Sequence, residues 1–128
     1  MVAYLENLEG AGKVEAILAQ SAREAPSVCM SAVNWGEVYY TTWHDQGREA
    51  AGRKAGEISQ LPLAIVSADR DQAQLAAQLK AVYRLPYADA FAAALAINRN
   101  AKLVTADSDF QVVESKVELM WLIKSRKR

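Results

Sequence analysis

Residues 103–110 of the chain read LVTADSDF, an apolar, β-prone run that is followed by two carboxylates. Asp107 and Asp109 stand two positions apart, just beyond the predicted strand 102–105. At the carboxyl end of a strand in an open α/β sheet, side chains project into the crevice where ligands bind. Asp and Ser after a strand are also common helix caps and turn formers. The stretch alone therefore predicts either an acidic ligand site or an ordinary turn.

Two further acids occupy comparable places. A predicted strand, 28–30, breaks at Ser31, a predicted N-cap, and the helix that follows carries Glu37 beside an apolar stripe. A later helix starts near Pro86 and puts Asp89 at the head of a face of small residues, formed by positions 89, 92, 93, 96 and 97. Alanines on this face let the helix approach a sheet closely, which would carry Asp89 into the crevice. Each acid also fits an ordinary early-helix position, where the helix dipole favours it.

The predicted crevice would hold only hard oxygen ligands, a set that suits Mg²⁺ or Mn²⁺. Carboxylates gathered in one crevice repel each other unless a cation neutralises them. A divalent metal can activate water and stabilise the charge that develops on a phosphodiester, which is the general logic of nucleases. The lone histidine, His44, gives little support to a zinc site or a Ser-His-Asp triad, and no GxGxxG or P-loop pattern occurs.

Length and composition place limits on the class of protein. At 128 residues the chain fits one domain, 1–128, with a core large enough to need no metal or disulfide support. Apolar residues make up 52% of the chain, but charges interrupt them far below the ~18 consecutive residues of a membrane span. No secretion signal is visible, and the single cysteine, Cys29, is expected to be a core thiol. We therefore expect a soluble, cytoplasmic protein without a membrane partner.

Charge is balanced overall but unevenly distributed. Fifteen basic and fifteen acidic residues cancel, and the tail at 124–128 holds four of the bases, so the remaining body carries eleven bases against fifteen acids. An acidic body with a carboxylate crevice would attract cations. The tail could lie along a phosphate backbone or could be a disordered, solubilising end.

The hydrophobic pattern predicts an α/β chain with a parallel, doubly wound sheet, because strands alternate with helices. Helical spacing begins at Val2, so the chain is predicted to open on helix, with a second helical pattern around 14–18. Further helices are predicted at 31–45, 48–59, 71–83 and about 87–97, and strands at 28–30, 61–66, 102–105 and 117–123.

The order of these motifs resembles the PIN-domain family, and within it the VapC-like toxins. The matching stretches are 31–38, 85–90, 103–110 and 117–122. The resemblance implies a three-layer α/β/α sandwich with a parallel five-stranded sheet, and an Mg²⁺- or Mn²⁺-dependent endoribonuclease. It also implies homodimerisation and inhibition by a cognate antitoxin that wraps the toxin. In this sequence the catalytic and metal-binding acids would be Glu37, Asp89 and Asp107, with Asp109 a fourth metal ligand and Ser31 and Thr105 supporting polar residues.

The resemblance also implies a difference at the amino end. Members of the family begin with a strand that ends in a metal-site Asp, just before the segment that residues 3–5 resemble. Here Met1 starts beyond that strand, so we expect the first strand and its Asp to be missing from this chain. Two functions follow as alternatives, a ribonuclease toxin or a catalytically incomplete module that binds RNA or an antitoxin without cleaving. A receiver-like signalling domain is a third, weaker alternative, because it also gathers acids in a doubly wound sheet.

Overall fold

A parallel five-stranded sheet organises the described part of the protein, in a computed structural model that describes residues 2–3, 28–105 and 108–121. The strands lie in the order β3-β2-β1-β4-β5, and every neighbouring pair is parallel. Non-consecutive neighbours require crossover connections, as in other doubly wound sheets. The strands are β1 (Val2–Ala3), β2 (Cys29–Ser31), β3 (Ala64–Val66), β4 (Leu103–Thr105) and β5 (Leu119–Trp121).

Four α-helices in the described residues connect these strands. They are α1 (Ala32–Gln46), α2 (Arg48–Ser59), α3 (Arg70–Tyr83) and α4 (Tyr87–Asn98), and a 3₁₀ helix, Ser108–Val113, follows β4. The bounds lie within a few residues of the predicted ones.

Local chemistry explains where these helices start and stop. Ser31 is both the last residue of β2 and the N-cap of α1, where its Oγ accepts a hydrogen bond from the Val33 N–H at 3.1 Å. Asp69 caps α3 in the same manner, through a 2.8 Å bond from the Gln72 N–H. Gly47 separates α1 from α2 with a φ of 100°, a conformation that glycine adopts without strain.

The two faces of β2 pack against different helices. Cys29, together with Leu103 of β4, belongs to a large cluster with α3, α4 and the 3₁₀ helix. Met30 points the other way and packs with Val38 of α1 and Ile58 of α2. The alternation matches the period-2 geometry of a strand that is covered on both sides. The three-layer α/β/α arrangement is therefore confirmed.

Helix α4 is more deeply buried than its sequence pattern predicted. We expected one apolar face that begins at Asp89, but every residue from 89 to 96 is buried. A helix that is apolar on all sides is typically a central element of the core. The reason is its position, since α4 packs against α1 and α3 as well as against three strands of the sheet.

The prediction that the first strand is missing is wrong, because the sheet has a strand at that position. β1 occupies the central position, with Val2 paired to Cys29 and Leu103, and Ala3 paired to Val104. The helical spacing at 2–8 misled the prediction at its first positions, because the main-chain groups of a sheet interior need ladder partners and this demand overrides local pattern. The central position of the sheet is thus filled by this chain, and neither of the two described residues of β1 is an acid.

Other predictions lie outside the described residues. These are the helical pattern around 14–18, the side chain of Asp107 and the tail at 124–128. Within the described ranges, no helix is both long and apolar enough to cross a membrane.

Candidate functional site

Two buried hydroxyl side chains flank the central strand at the carboxyl edge of the sheet. Because Ala3 pairs with Val104, Thr105 lies one residue beyond β1 on one side. Because Val2 pairs with Cys29, Ser31 lies one residue beyond β1 on the other side. Both side chains are 1% exposed, and strand alternation puts them on the face that Cys29 and Leu103 share. Ser31 and Thr105 therefore lie at the same level along the strands, at the edge of the sheet where the sequence predicts the crevice.

Asp89 lies in the first turn of α4, the helix that covers this face. Its side chain is only 3% exposed, which is rare for a carboxylate. Pro86 precedes the helix as N-cap residue instead of opening its first turn, and the Ala90 N–H donates to the Pro86 carbonyl at 2.9 Å. Burial of an acid at this place is typical of a functional site, where the charge of the side chain binds a ligand.

Asn34 joins the two helices that carry the predicted acids. Its Nδ2 donates a 2.7 Å hydrogen bond to the Ala88 carbonyl, directly before Asp89, and its side chain is 1% exposed. Glu37 follows one helical turn after Asn34 and is partly buried. The bond brings the part of α1 that carries Glu37 to the start of α4. Sequence reasoning missed Asn34, and the available signal was an amide placed among the apolar residues of an amphipathic segment.

The remaining acids are placed less closely. Asp109 lies in the first turn of the 3₁₀ helix and is exposed, while Asp107 is outside the described residues. Among the residues that the structure describes, no group of three metal-ligating side chains comes together. Glu37 and Asp89 thus lie on helices joined by Asn34, and the predicted contribution of Asp107 stays a prediction.

The chemistry of the donors fits a hard divalent cation. Near the crevice the described ligands are carboxylates and hydroxyls, which Mg²⁺ and Mn²⁺ prefer. His44 pairs with Asp45 in an exposed position toward the end of α1. Burial raises the pKa of the Cys29 thiol, while Arg99 acts in the opposite direction, so this thiol stays protonated at neutral pH. Neither group competes with the carboxylates as a metal ligand.

The Asn34 hydrogen bond should contribute measurably to stability. Asn34→Ala removes a buried donor and leaves the Ala88 carbonyl without it, so we expect the free energy of unfolding to fall by about 1–3 kcal/mol. Urea denaturation measures this change. Asn98→Ala, at an exposed asparagine at the end of α4, should stay within about 0.5 kcal/mol of the wild type. Equal stability of both variants would show that the bond does not hold α1 to α4.

Comparisons with known proteins agree with this fold. The PIN domain family model matches residues 1–116. The DNA-bound VapBC structure from Salmonella typhimurium is 19% identical, with a TM-score of 0.70 over 95% of this chain and 97% of that chain. VapBC-1 from nontypeable Haemophilus influenzae is 15% identical, with a TM-score of 0.69 over 97% and 98%. A sarcin-ricin loop cleaving VapC toxin from Mycobacterium tuberculosis is 16% identical, with a TM-score of 0.64 over 91% and 96%. No curated protein matches the sequence significantly.

Proposed function

Because the chain belongs to the PIN domain family, we propose that it is a metal-dependent endoribonuclease and the toxin of a toxin-antitoxin pair. The observation that carries the proposal is the position of Asp89. This carboxylate is almost fully buried, and it heads a helix on the face of the sheet where Ser31 and Thr105 end their strands. A buried acid at the carboxyl edge of a parallel sheet is typical of a ligand site.

The proposed roles of the residues follow from this arrangement. Glu37, Asp89 and Asp107 hold Mg²⁺ or Mn²⁺, and Asp109 is the fourth acid at the rim. When bound, the cation supplies activation of water and neutralises charge on the phosphodiester. Asn34 fixes the spacing between the helices that carry Glu37 and Asp89.

The proposed role of Ser31 and Thr105 is to position the acids, without contact to the RNA. Ser31 holds the start of α1 through its cap, and Thr105 ends the strand that precedes Asp107. Each would orient the segment that carries a metal-binding carboxylate. A donor set that is held in place before the metal arrives needs little rearrangement when it binds.

The proposed partners come from the structural neighbours. The structures from Salmonella typhimurium and Haemophilus influenzae are VapBC complexes, and the toxin from Mycobacterium tuberculosis cleaves the sarcin-ricin loop. By analogy, we propose RNA as the substrate of this chain and a cognate antitoxin as its protein partner. We also propose a homodimer, on the sequence resemblance to the VapC-like toxins alone.

One observation favours a second candidate function. Neither Val2 nor Ala3 is an acid, so the described part of the central strand adds no carboxylate to the crevice. With fewer acids a cation is held less tightly, and the fold could bind RNA or an antitoxin without cleaving. This alternative is a non-catalytic PIN module.

Cleavage of a labelled single-stranded RNA by the purified chain separates the two functions. The enzyme should cleave internally with Mn²⁺ or Mg²⁺ and stop when EDTA is added. Asp45→Asn, at an exposed acid near the end of α1, is a control that should cleave like the wild type. RNA binding without cleavage in either metal would favour the non-catalytic module.

The basic tail should contribute nonspecific RNA affinity. Deleting residues 124–128 removes four positive charges, so the slope of log affinity against log salt should become shallower by roughly 0.7 for each lost phosphate contact. Titrations of one RNA at several salt concentrations measure the slope. Identical slopes with and without the tail would identify these residues as a solvated end.

A further inference from the structure

An exposed aromatic ring and two cations share a cleft at the corner between α3 and α4. The cleft has a volume of about 650 Å³ and is lined by Ala77, Lys80, Ala81, Arg84 and Tyr87. The two alanines have short side chains, so the charged and aromatic groups of the lining come from the other three residues. Nothing in the proposed metal site uses these residues.

The Tyr87 ring is held firmly and is still available to a ligand. It packs edge-to-face on Phe91, with ring centroids 5.0 Å apart and planes at 69°, and Phe91 is buried in the core. Tyr87 nevertheless remains 46% exposed. A ring fixed on one side and open on the other is a platform on which a nucleobase can stack without a large loss of side-chain entropy.

Lys80 is held by a hydrogen bond, and both cations lack a paired carboxylate among the described residues. The Lys80 ammonium donates a 3.2 Å hydrogen bond to the Leu85 carbonyl, which ties it to the loop between the helices. Arg84 ends α3 in a left-handed conformation, with φ at 62°. The Arg84 N–H donates to the Lys80 carbonyl, a bond that is common where a helix ends in the left-handed conformation. Within the described residues, neither cation forms an ion pair with a carboxylate.

Arg84 links this cleft to a neighbouring cleft that contains Asp109, one of the predicted metal-site acids. It also lines a second cleft, of about 380 Å³, whose other wall is formed by Ser108 and Asp109 of the 3₁₀ helix. Arg84 is therefore shared by both clefts, one of which contains Asp109 and the other the exposed Tyr87 ring. An RNA strand that lay in both clefts would contact Arg84 between Asp109 and Tyr87.

We propose that Tyr87, Lys80 and Arg84 form a subsite that binds an unpaired nucleotide of the RNA next to the cleavage site. The base stacks on Tyr87, and the cations hold the adjoining phosphates. This inference rests on the proposed function and makes single-stranded RNA the preferred substrate, because a paired base cannot offer its face to the ring. A protein segment is a less suitable occupant, since two cations beside an aromatic ring match the repeating phosphate and base of a nucleic acid.

The test is RNA binding without cleavage. The affinity of the chain for a fluorescent single-stranded oligoribonucleotide is measured in EDTA and compared with that for a duplex of equal length. Tyr87→Ala should weaken single-strand binding by roughly 5- to 150-fold, and Tyr87→Phe should restore it. Tyr40→Ala, at an exposed tyrosine on α1, is the matched control and should bind like the wild type.

The cations give a second, independent variant. Lys80→Gln with Arg84→Asn removes both charges, and asparagine tolerates the left-handed backbone, so this protein should fold. Its salt slope should become shallower by about 1.4, or 0.7 for each contact, while Arg53→Gln on α2 leaves the slope unchanged. The subsite would be overturned if Tyr87→Ala bound the single strand as tightly as the wild type does. It would also be overturned if the wild type bound the duplex as tightly as the single strand. Binding is measured in EDTA, where metal-dependent cleavage cannot occur. If the chain shows this binding pattern but does not cleave RNA in Mn²⁺ or Mg²⁺, only the nuclease function is refuted.

Discussion

Replacing Asp89 with Asn should lower the rate of Mn²⁺-dependent RNA cleavage by about a thousandfold. The substitution keeps the shape of the side chain and removes the charge that the cation requires. A metal ion that stabilises a phosphodiester transition state contributes several kcal/mol, and loss of a buried ligand removes much of that contribution. Single-turnover cleavage of a labelled RNA measures the change.

A matched control separates this effect from helix stability. Asp71 also lies in the first turn of a helix, α3, but it is exposed. Asp71→Asn should therefore lose only the helix-dipole interaction, about 0.3–1 kcal/mol of stability, and should cleave like the wild type. If Asp89→Asn cleaves within a few-fold of the wild type, Asp89 has a structural role and does not hold the metal.

Replacing Phe110 with Ala should cost about 3–5 kcal/mol of the free energy of unfolding. Phe110 is fully buried, and it joins the 3₁₀ helix to the cluster formed by α3, α4 and β4. A small domain has only about 5–15 kcal/mol in total, so this single change should remove a large share of it. Urea denaturation with matched m-values measures the loss.

The same substitution should also weaken Mn²⁺ binding, because Phe110 anchors the segment that carries Asp109. Val112→Ala changes the same 3₁₀ helix at a side chain that is 50% exposed, and it should stay within about 0.5 kcal/mol. If Phe110→Ala were no more destabilising than Val112→Ala, the 3₁₀ helix would not be held by the core. Undiminished Mn²⁺ affinity in a folded Phe110→Ala protein would separate this anchor from the metal site.

The parts of the fold that sequence could predict are those with strong local signals. Ser31 after an apolar run marks both a strand end and a helix start, and the structure has both at that residue. The small residues after Asp89 indicated a helix packed close to a sheet, and α4 contacts three strands. Capping and apolar spacing are local properties, so a single sequence reveals them.

The features that were not predicted from the sequence depend on contacts between residues that are far apart in the chain. The two-residue strand β1 exists because β2 and β4 offer main-chain partners on both sides, and no pattern within residues 2–3 encodes that demand. The bond from Asn34 to Ala88 spans 54 positions. Arg84 and Tyr87 gave no motif either, because the subsite arises only when the corner between α3 and α4 places them beside Lys80.

We propose that Glu37, Asp89 and Asp107 bind one divalent cation at the carboxyl edge of the sheet, and calorimetric titration with Mn²⁺ tests this site most directly. The wild-type chain should bind Mn²⁺ at one site, and Glu37→Gln, Asp89→Asn and Asp107→Asn should each weaken that binding while the proteins remain folded. Asp71→Asn should titrate like the wild type. Unchanged Mn²⁺ affinity in both Asp89→Asn and Asp107→Asn would contradict the claim.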